Sequence, residues 1–275
     1  WQYINTGQSG GTAGADMDAE LAWDVTTGGL TPLGDTIVVA VIDEGFDITH
    51  PDFGDNLWRN YNEIPNNGID DDNNGFIDDF RGWNVQQNND DVTNGGWHGT
   101  AVAGIVGAQG DNGTGVTGMN WNVKIMTIRL TTTVESDVLI AYDYTLQNRM
   151  LYNQSNGTAG AFVVATNASW GINNGQPSQA PLWCAFYDTL GVHGILNAGA
   201  TANANFDIDV TGDLPTACPS DYMLSVTNIN HNDQKVTQAG YGATTIDMGA
   251  FGAGTWTLDG GGGYALGDEL IFTNP

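Results

Sequence analysis

Two residues of this 275-residue chain stand where their chemistry can be used. Asp43 closes the apolar run of VVAVIDEGFDITHPDF, so its carboxylate is fixed by a strand and shielded from water. His98 opens HGTAVAGIVGA, a segment whose glycines and alanines let a helix lie close to its neighbours. An acid that orients a histidine, and a histidine that takes a proton from a hydroxyl, are two members of a nucleophilic triad. A lone histidine before glycine says little, and a lone aspartate after a strand is commonly a cap. In the order Asp then His, with these flanks, the pair is specific. The third member is a hydroxyl nucleophile expected near the C-terminal end, and no serine follows Ser225.

A second group is acidic. GIDDDNNGFIDDF sets Asp70, Asp72 and Asn74 at alternate positions, with Gly75 for the sharp turn, Phe76 to offer its carbonyl and Asp78 beyond. Oxygen ligands in this spacing wrap a hard cation such as Ca2+. The twelfth position, where an EF-hand needs glutamate, is Arg81, so Asp78 or Asp79 supplies the final carboxylate. Carboxylates this close repel one another unless a cation joins them; without one the segment is a solvated acidic loop.

The elements that must hold these groups follow from the hydrophobic pattern. The β-branched run 35–42 reads as a buried strand ending at Asp43. Residues 98–108 read as a helix, 124–130 as a strand, and 137–152 as a helix with Val138, Leu139, Tyr142, Leu146 and Met150 at helical spacing. Strands are expected at 161–166, 194–198, 222–228 and 244–248, and short helices at 15–24 and 181–190. Residues 54–97 read as loop, and from Gly249 onward glycine dominates. Strands alternating with helices imply an α/β fold, a mostly parallel sheet with helices on both faces, whose sites lie at the carboxyl ends of the strands. One domain over 1–275 is expected, with no internal repeat.

Composition narrows the partners. Six Lys and Arg face 32 Asp and Glu, a formal charge of −26, which repels nucleic acid and attracts divalent cations. Secretion or salty surroundings are the plainest source of such acidity. No apolar run reaches the roughly 18 residues of a membrane span. The chain opens on Trp1 without a basic, apolar leader, as expected of a processed or trimmed form. Cys184 and Cys218 form one disulfide in a secreted protein, or stay as two buried thiols; their spacing leaves both open.

These motifs resemble, in order, those of the subtilisin-like serine proteases. VIDEGFDITHPDF is similar to the family's VIDTGID..HPDL, and HGTAVAGIVG to HGTHVAGTIAG. Ser169, Trp170 and Gly171 match the segment that pairs with substrate and walls the pocket for P1, the side chain on the acyl side of the cut bond. GILNAGATAN, residues 194–203, resembles the strand ending in the oxyanion asparagine, which assigns that role to Asn203. TTIDMGAFGAGTW resembles the D.AAPG segment, with Phe251 where proline is usual. The next element should be GTSMATPHVAG; the chain reads GGGGYALG and then DELIFTNP, so Gly267, Asp268 and Glu269 stand opposite GTS.

The resemblance implies a three-layer subtilisin-like fold and a secreted endopeptidase acting on peptides and proteins. It also implies calcium at the Asp70 loop, and at Asp52 with Asn112 in the loop after the His98 helix. The helix that follows the nucleophile runs through the middle of this fold, and its removal leaves apolar sheet surface uncovered. The expectation is therefore a truncated or altered copy of an Asp-His-Ser endopeptidase, or one whose serine belongs to a separate piece. The alternative is an inactive protease-like domain that binds peptides or assembles with other extracellular proteins.

Overall fold

In the computed structural model residues 1–93 and 97–267 are described. In chain order the elements are α1 (Ala19–Trp23), β1 (Ile37–Asp43), β2 (Trp83–Asn84), α2 (Trp97–Gly107), β3 (Lys124–Arg129), α3 (Glu135–Ser155), β4 (Phe162–Ala168) and β5 (Ile172–Asn173). Then come α4 (Pro181–Val192), β6 (Leu196–Ala200), α5 (Ile208–Thr211), β7 (Asp213–Leu214), β8 (Met223–Ile229), β9 (Met248–Phe251), β10 (Trp256–Asp259) and β11 (Gly263–Leu266).

Seven strands form one parallel sheet in the order β2-β3-β1-β4-β6-β8-β9. Its register sets the site. Ile42 lies opposite Ala168, and Ala168 opposite Gly199, so β1, β4 and β6 all end in one row. One face is buried under α3 and α4. There Val38, Ala40, Ile42, Met126 and Val163 pack with Val138 and Tyr142 of α3 and Trp183 and Leu190 of α4. On the other face Val102 and Ala103 of α2 pack with Val41 and Ile125.

α2 covers only half of that second face. Parallel partners share a face, which puts Leu196, Ala198 and Ala200 of β6 beside Leu224 and Val226 of β8, and Met248 and Ala250 of β9 next to them. Leu196 is 47% exposed and Met248 48%. Among the described residues nothing covers this half, the surface on which the family resemblance expects the helix after the nucleophile.

The sheet departs from expectation at its C-terminal end. The strand expected at 244–248 begins only at Met248. The backbone N–H groups of Ala243, Thr244 and Thr245 donate to the Asp209 carboxylate instead of a ladder. The glycine-dominated tail holds the antiparallel β10–β11 hairpin. Thr257 and Leu258 make it: both are buried on α2, and the Thr257 hydroxyl donates to the Ala101 carbonyl at 2.6 Å.

Cys184 of α4 and Cys218, 34 residues apart, are joined as a disulfide. The link ties α4 to the segment leading into β8. Closing a loop of this length restricts the unfolded chain, so replacing both cysteines by alanine is expected to lower stability by roughly 2–4 kcal/mol. Denaturant unfolding of the two proteins measures the difference.

Candidate active site

Asp43 ends β1 and His98 is the second residue of α2; they are 2% and 3% exposed. His98 Nδ1 lies 2.8 Å from Asp43 Oδ1 and 3.0 Å from Oδ2, so the imidazole donates its Nδ1–H to the carboxylate. The Glu44 backbone N–H donates to Oδ1 at 2.8 Å and fixes the carboxylate further. The contact needs α2 to lie almost on the strand end. A Cβ on Gly99 would sit 2.3 Å from the Gly45 carbonyl oxygen and 3.0 Å from Asp43 Cβ. Only glycine allows that approach.

The other expected residues gather at the same sheet edge. Ser169 follows β4 and is buried, its hydroxyl accepting from Asn167 Nδ2 at 3.0 Å. The Trp170 ring turns inward, packing on Trp183 at 5.5 Å and donating Nε1–H to the Ile42 carbonyl at 2.8 Å. It thereby braces the residue before Asp43. Gly171 lies against β7, where a Cβ would stand 2.0 Å from the Leu214 carbonyl oxygen. Asn203 is half-buried in the loop after β6, two residues past Thr201, whose N–H donates to the Val226 carbonyl.

The hairpin leading toward the expected nucleophile is docked on the DITHPDF turn. Asp47 Oδ2 accepts from the N–H groups of Gly261 at 2.9 Å and Gly262 at 3.1 Å. His50 Nδ1 accepts from the Asp52 N–H at 3.1 Å, which leaves Nε2–H to donate to the Gly263 carbonyl at 2.7 Å. Asp268 and Glu269, set opposite the serine motif by sequence, lie outside the described residues.

In the acidic loop the carboxylates that converge are Glu63, Asp72 and Asp79, with ligand oxygens all within 4.8 Å of one another. Asp70 instead accepts the N–H groups of Asn74 and Gly75. Asn74 Nδ2 donates to Asp79 at 3.0 Å. Asp78 turns to the N–H groups of Asn67 and Gly68. The Phe76 ring packs edge-on against Trp83 and Tyr144, which anchors the loop to the core. Burial pushes the Asp79 carboxyl up to about 7 and also raises Asp72 and Glu63. Two buried carboxylates and the half-buried Asp72, crowded together, form the hard oxygen set that fits Ca2+. Glu63 escapes the sequence motif because it lies seven residues before Asp70; its carboxylate closes the loop by accepting from Asp71, Asp72 and Asp78.

Asp52 and Asn112 meet differently. Asp52 Oδ1 accepts from Asn112 Nδ2 and Oδ2 from the Val116 N–H, each at 2.8 Å, while Asn112 Oδ1 accepts from the Thr114 N–H. Asn112 thus presents its amide nitrogen to Asp52. Sequence reasoning also missed Asp213, a buried acid whose Oδ2 accepts from the Ala202 N–H beside Asn203.

Comparison with known proteins bears on the fold and the family. The sequence profile of the Subtilase family matches residues 34–252. An extracellular protease of Xanthomonas campestris pv. campestris is 28% identical over 257 residues, covering 88% of this chain and 40% of that protein. Subtilisin-like protease 1 of Plasmodium berghei is 44% identical over 93 residues, 34% of this chain and 16% of that protein. The chain thus spans under half the length of either. Among solved structures, a protease from Pseudoalteromonas arctica superimposes with TM-score 0.66 at 19% identity, over 94% of this chain and 78% of that one. A cold-adapted subtilisin-like serine proteinase gives TM-score 0.59 at 20% identity, over 87% and 71%.

The closeness of α2 to β1 is directly testable. Gly99→Ala forces a methyl group into the Gly45 carbonyl, and such overpacking costs about 1–3 kcal/mol. The expected outcome is that loss in denaturant unfolding, together with a weakened His98 Nδ1–H hydrogen bond, read as a shift of its imidazole proton resonance.

Proposed function

The chain belongs to the subtilase family, and from that footing we propose that its site serves peptide-bond hydrolysis by an Asp-His-Ser mechanism. The observation that carries the proposal is the buried Asp43–His98 hydrogen bond at the carboxyl edge of a parallel sheet. With Nδ1 held by Asp43, Nε2 is the nitrogen that exchanges a proton: first from the attacking hydroxyl, then to the leaving amine. Asp43 fixes the tautomer and stabilises the imidazolium. Asn203, with a backbone N–H, donates to the oxyanion of the tetrahedral intermediate. The backbone of Ser169–Gly171 pairs with the substrate on the acyl side. The attacking hydroxyl is assigned to no residue of this sequence, since no serine follows Ser225. A second reading is that the same groove binds peptides without cutting them.

Calcium is proposed as a structural ion held by Glu63, Asp72 and Asp79, with the Asp70 loop folded around it. The ion supplies positive charge to three carboxylates and takes no part in proton transfer. Secretion is proposed from the disulfide, the acidic composition and the likeness to an extracellular protease.

Fluorophosphonate labelling separates the two readings of the groove. The hydrolase takes up the label and loses it with His98→Ala, and Asn203→Ala lowers turnover about 10²–10³-fold. Folded protein of the expected intact mass that takes no label excludes hydrolysis and leaves peptide binding. For calcium, chelation is expected to lower the melting temperature, and Asp79→Asn to remove that response; a ligand at a hundredfold excess over its Kd adds about 2.7 kcal/mol. An unchanged melting temperature on chelation sinks the calcium site.

A further inference from the structure

We propose that a cleft at the amino-terminal edge of the sheet, opposite the Asp43 edge, binds an organic carboxylate. Arg59 and Lys124 take the anionic group, and the rings of Trp58, Tyr152 and Phe162 take the apolar body that carries it.

The sheet register places the cleft. Val38, near the start of β1, lies opposite Lys124 of β3 and Val163 of β4. Val38 and Val163 are buried on the face under α3, and parallel partners share a face, so Lys124 belongs to it as well. Segment 54–62 runs along β3, with the Trp58 N–H donating to the Ile125 carbonyl at 2.8 Å. On the other side α3 ends, and the chain returns to β4 through residues 156–161. Between these two walls lies a cleft of about 710 Å³, the size of a small-molecule site. β1 rises roughly 20 Å from Ile37 to Asp43, so this cleft is separate from the catalytic edge.

Lys124 interrupts an apolar row. Its neighbours Val38 and Val163 are buried, whereas Lys124 is half-buried and donates Nζ–H to the Asp55 backbone carbonyl. Arg59, also half-buried, donates Nη1–H to the Trp58 carbonyl at 2.9 Å. Each cation thus meets a neutral backbone oxygen and keeps further N–H donors for a guest. The chain has 32 acidic residues for six basic ones. Even so, among the described residues neither cation pairs with a carboxylate; the ion pairs are Arg81 with Asp90 and His98 with Asp43. Asp55 lines the cleft too, but it is exposed, and its carbonyl rather than its carboxylate meets Lys124. Asp35, the other acid nearby, is held by the Tyr152 and Thr31 hydroxyls at 2.7 and 2.8 Å. Two cations without carboxylate partners, on one cleft of an acidic chain, make an anion-binding pair.

The walls decide what carries the charge. The Tyr152 ring packs on Phe162 at 5.3 Å, the Arg149 guanidinium lies 4.1 Å from the Phe162 ring centroid, and Trp58 is fixed in the core. Rings held in place this way gain from covering apolar surface, which an inorganic anion does not offer. A carboxylate on an apolar body comes free, as a small aromatic acid, or as the C-terminus of a peptide ending in an aromatic residue. Isothermal titration calorimetry on the full chain separates these sources. The probes are 3-phenylpropionate and the tripeptide Ala-Ala-Phe, each beside its neutral amide. The titrations are run at about pH 7, where the carboxylates and both cations are charged.

At least one acid is expected to bind at least about tenfold more tightly than its amide. Arg59→Gln and Lys124→Met should each weaken the acid at least about tenfold and leave the amide unchanged. Lys124→Met continues the row of Val38 and Val163, so its melting temperature should not drop. Binding of the free acid alone identifies a small organic acid as the ligand; binding of the tripeptide identifies a chain terminus. Equal affinity for acid and amide, no binding of either acid, or affinity that survives both substitutions overturns the inference. Lys124 is then a strand-end lysine whose stem covers Val38 while its charge reaches water. The wild-type comparison of acid with amide decides the matter even if a variant does not fold. None of these outcomes bears on hydrolysis, which fluorophosphonate labelling reads at the opposite edge.

Discussion

How closely α2 lies against the end of β1 governs this molecule. Asp43 and His98 are both withdrawn from water, and each buried polar group needs its partner in place. The hydrogen bond between them forms only because position 99 lacks a side chain and because β1 is held on both sides by parallel partners. Trp170, reaching from the end of β4 to the Ile42 carbonyl, adds a brace from the far side. The pair is therefore a property of three elements meeting, not of two side chains finding each other.

The same sheet explains an asymmetry in the fold. α3 and α4 bury the central strands on one face, whereas α2 and the β10–β11 hairpin cover only half of the other. The strands on the open half carry small residues, Ala198, Ala200 and Ala250, beside larger exposed ones, Leu196 and Met248. Small residues on a sheet face let a covering element approach closely, and exposed apolar neighbours gain from being covered.

Much of this was legible in the sequence, for local reasons. The run ending at Asp43 has a strand's β-branched composition, and HGTAVAG has a helix's small-residue face. The row of site residues followed because successive parallel strands end at one edge. What stayed hidden depends on distant contacts. Thr257 and Leu258 become a strand only against α2, and glycine-rich flanks give no local hint of it. The start of β9 is set by Asp209, which takes the amides of residues 243–245 from more than thirty positions away. Glu63 lies outside the window in which a cation loop is recognised. Asp213 looks like a turn residue until β5 is seen to pair with β7.

Three buried acidic sites divide the chemistry of the chain by what answers their charge. Asp43 is answered by a histidine, which turns a buried carboxylate into a device for holding a tautomer. Asp79 sits among Glu63 and Asp72, where like charges raise one another's cost and a divalent cation lowers it for all three. Asp213 is met at one oxygen by the Ala202 N–H and the Thr216 hydroxyl, which offset part of the burial that raises its carboxyl. A desolvated carboxylate costs several kcal/mol unless paired, so each of these sites depends on the partners gathered around it.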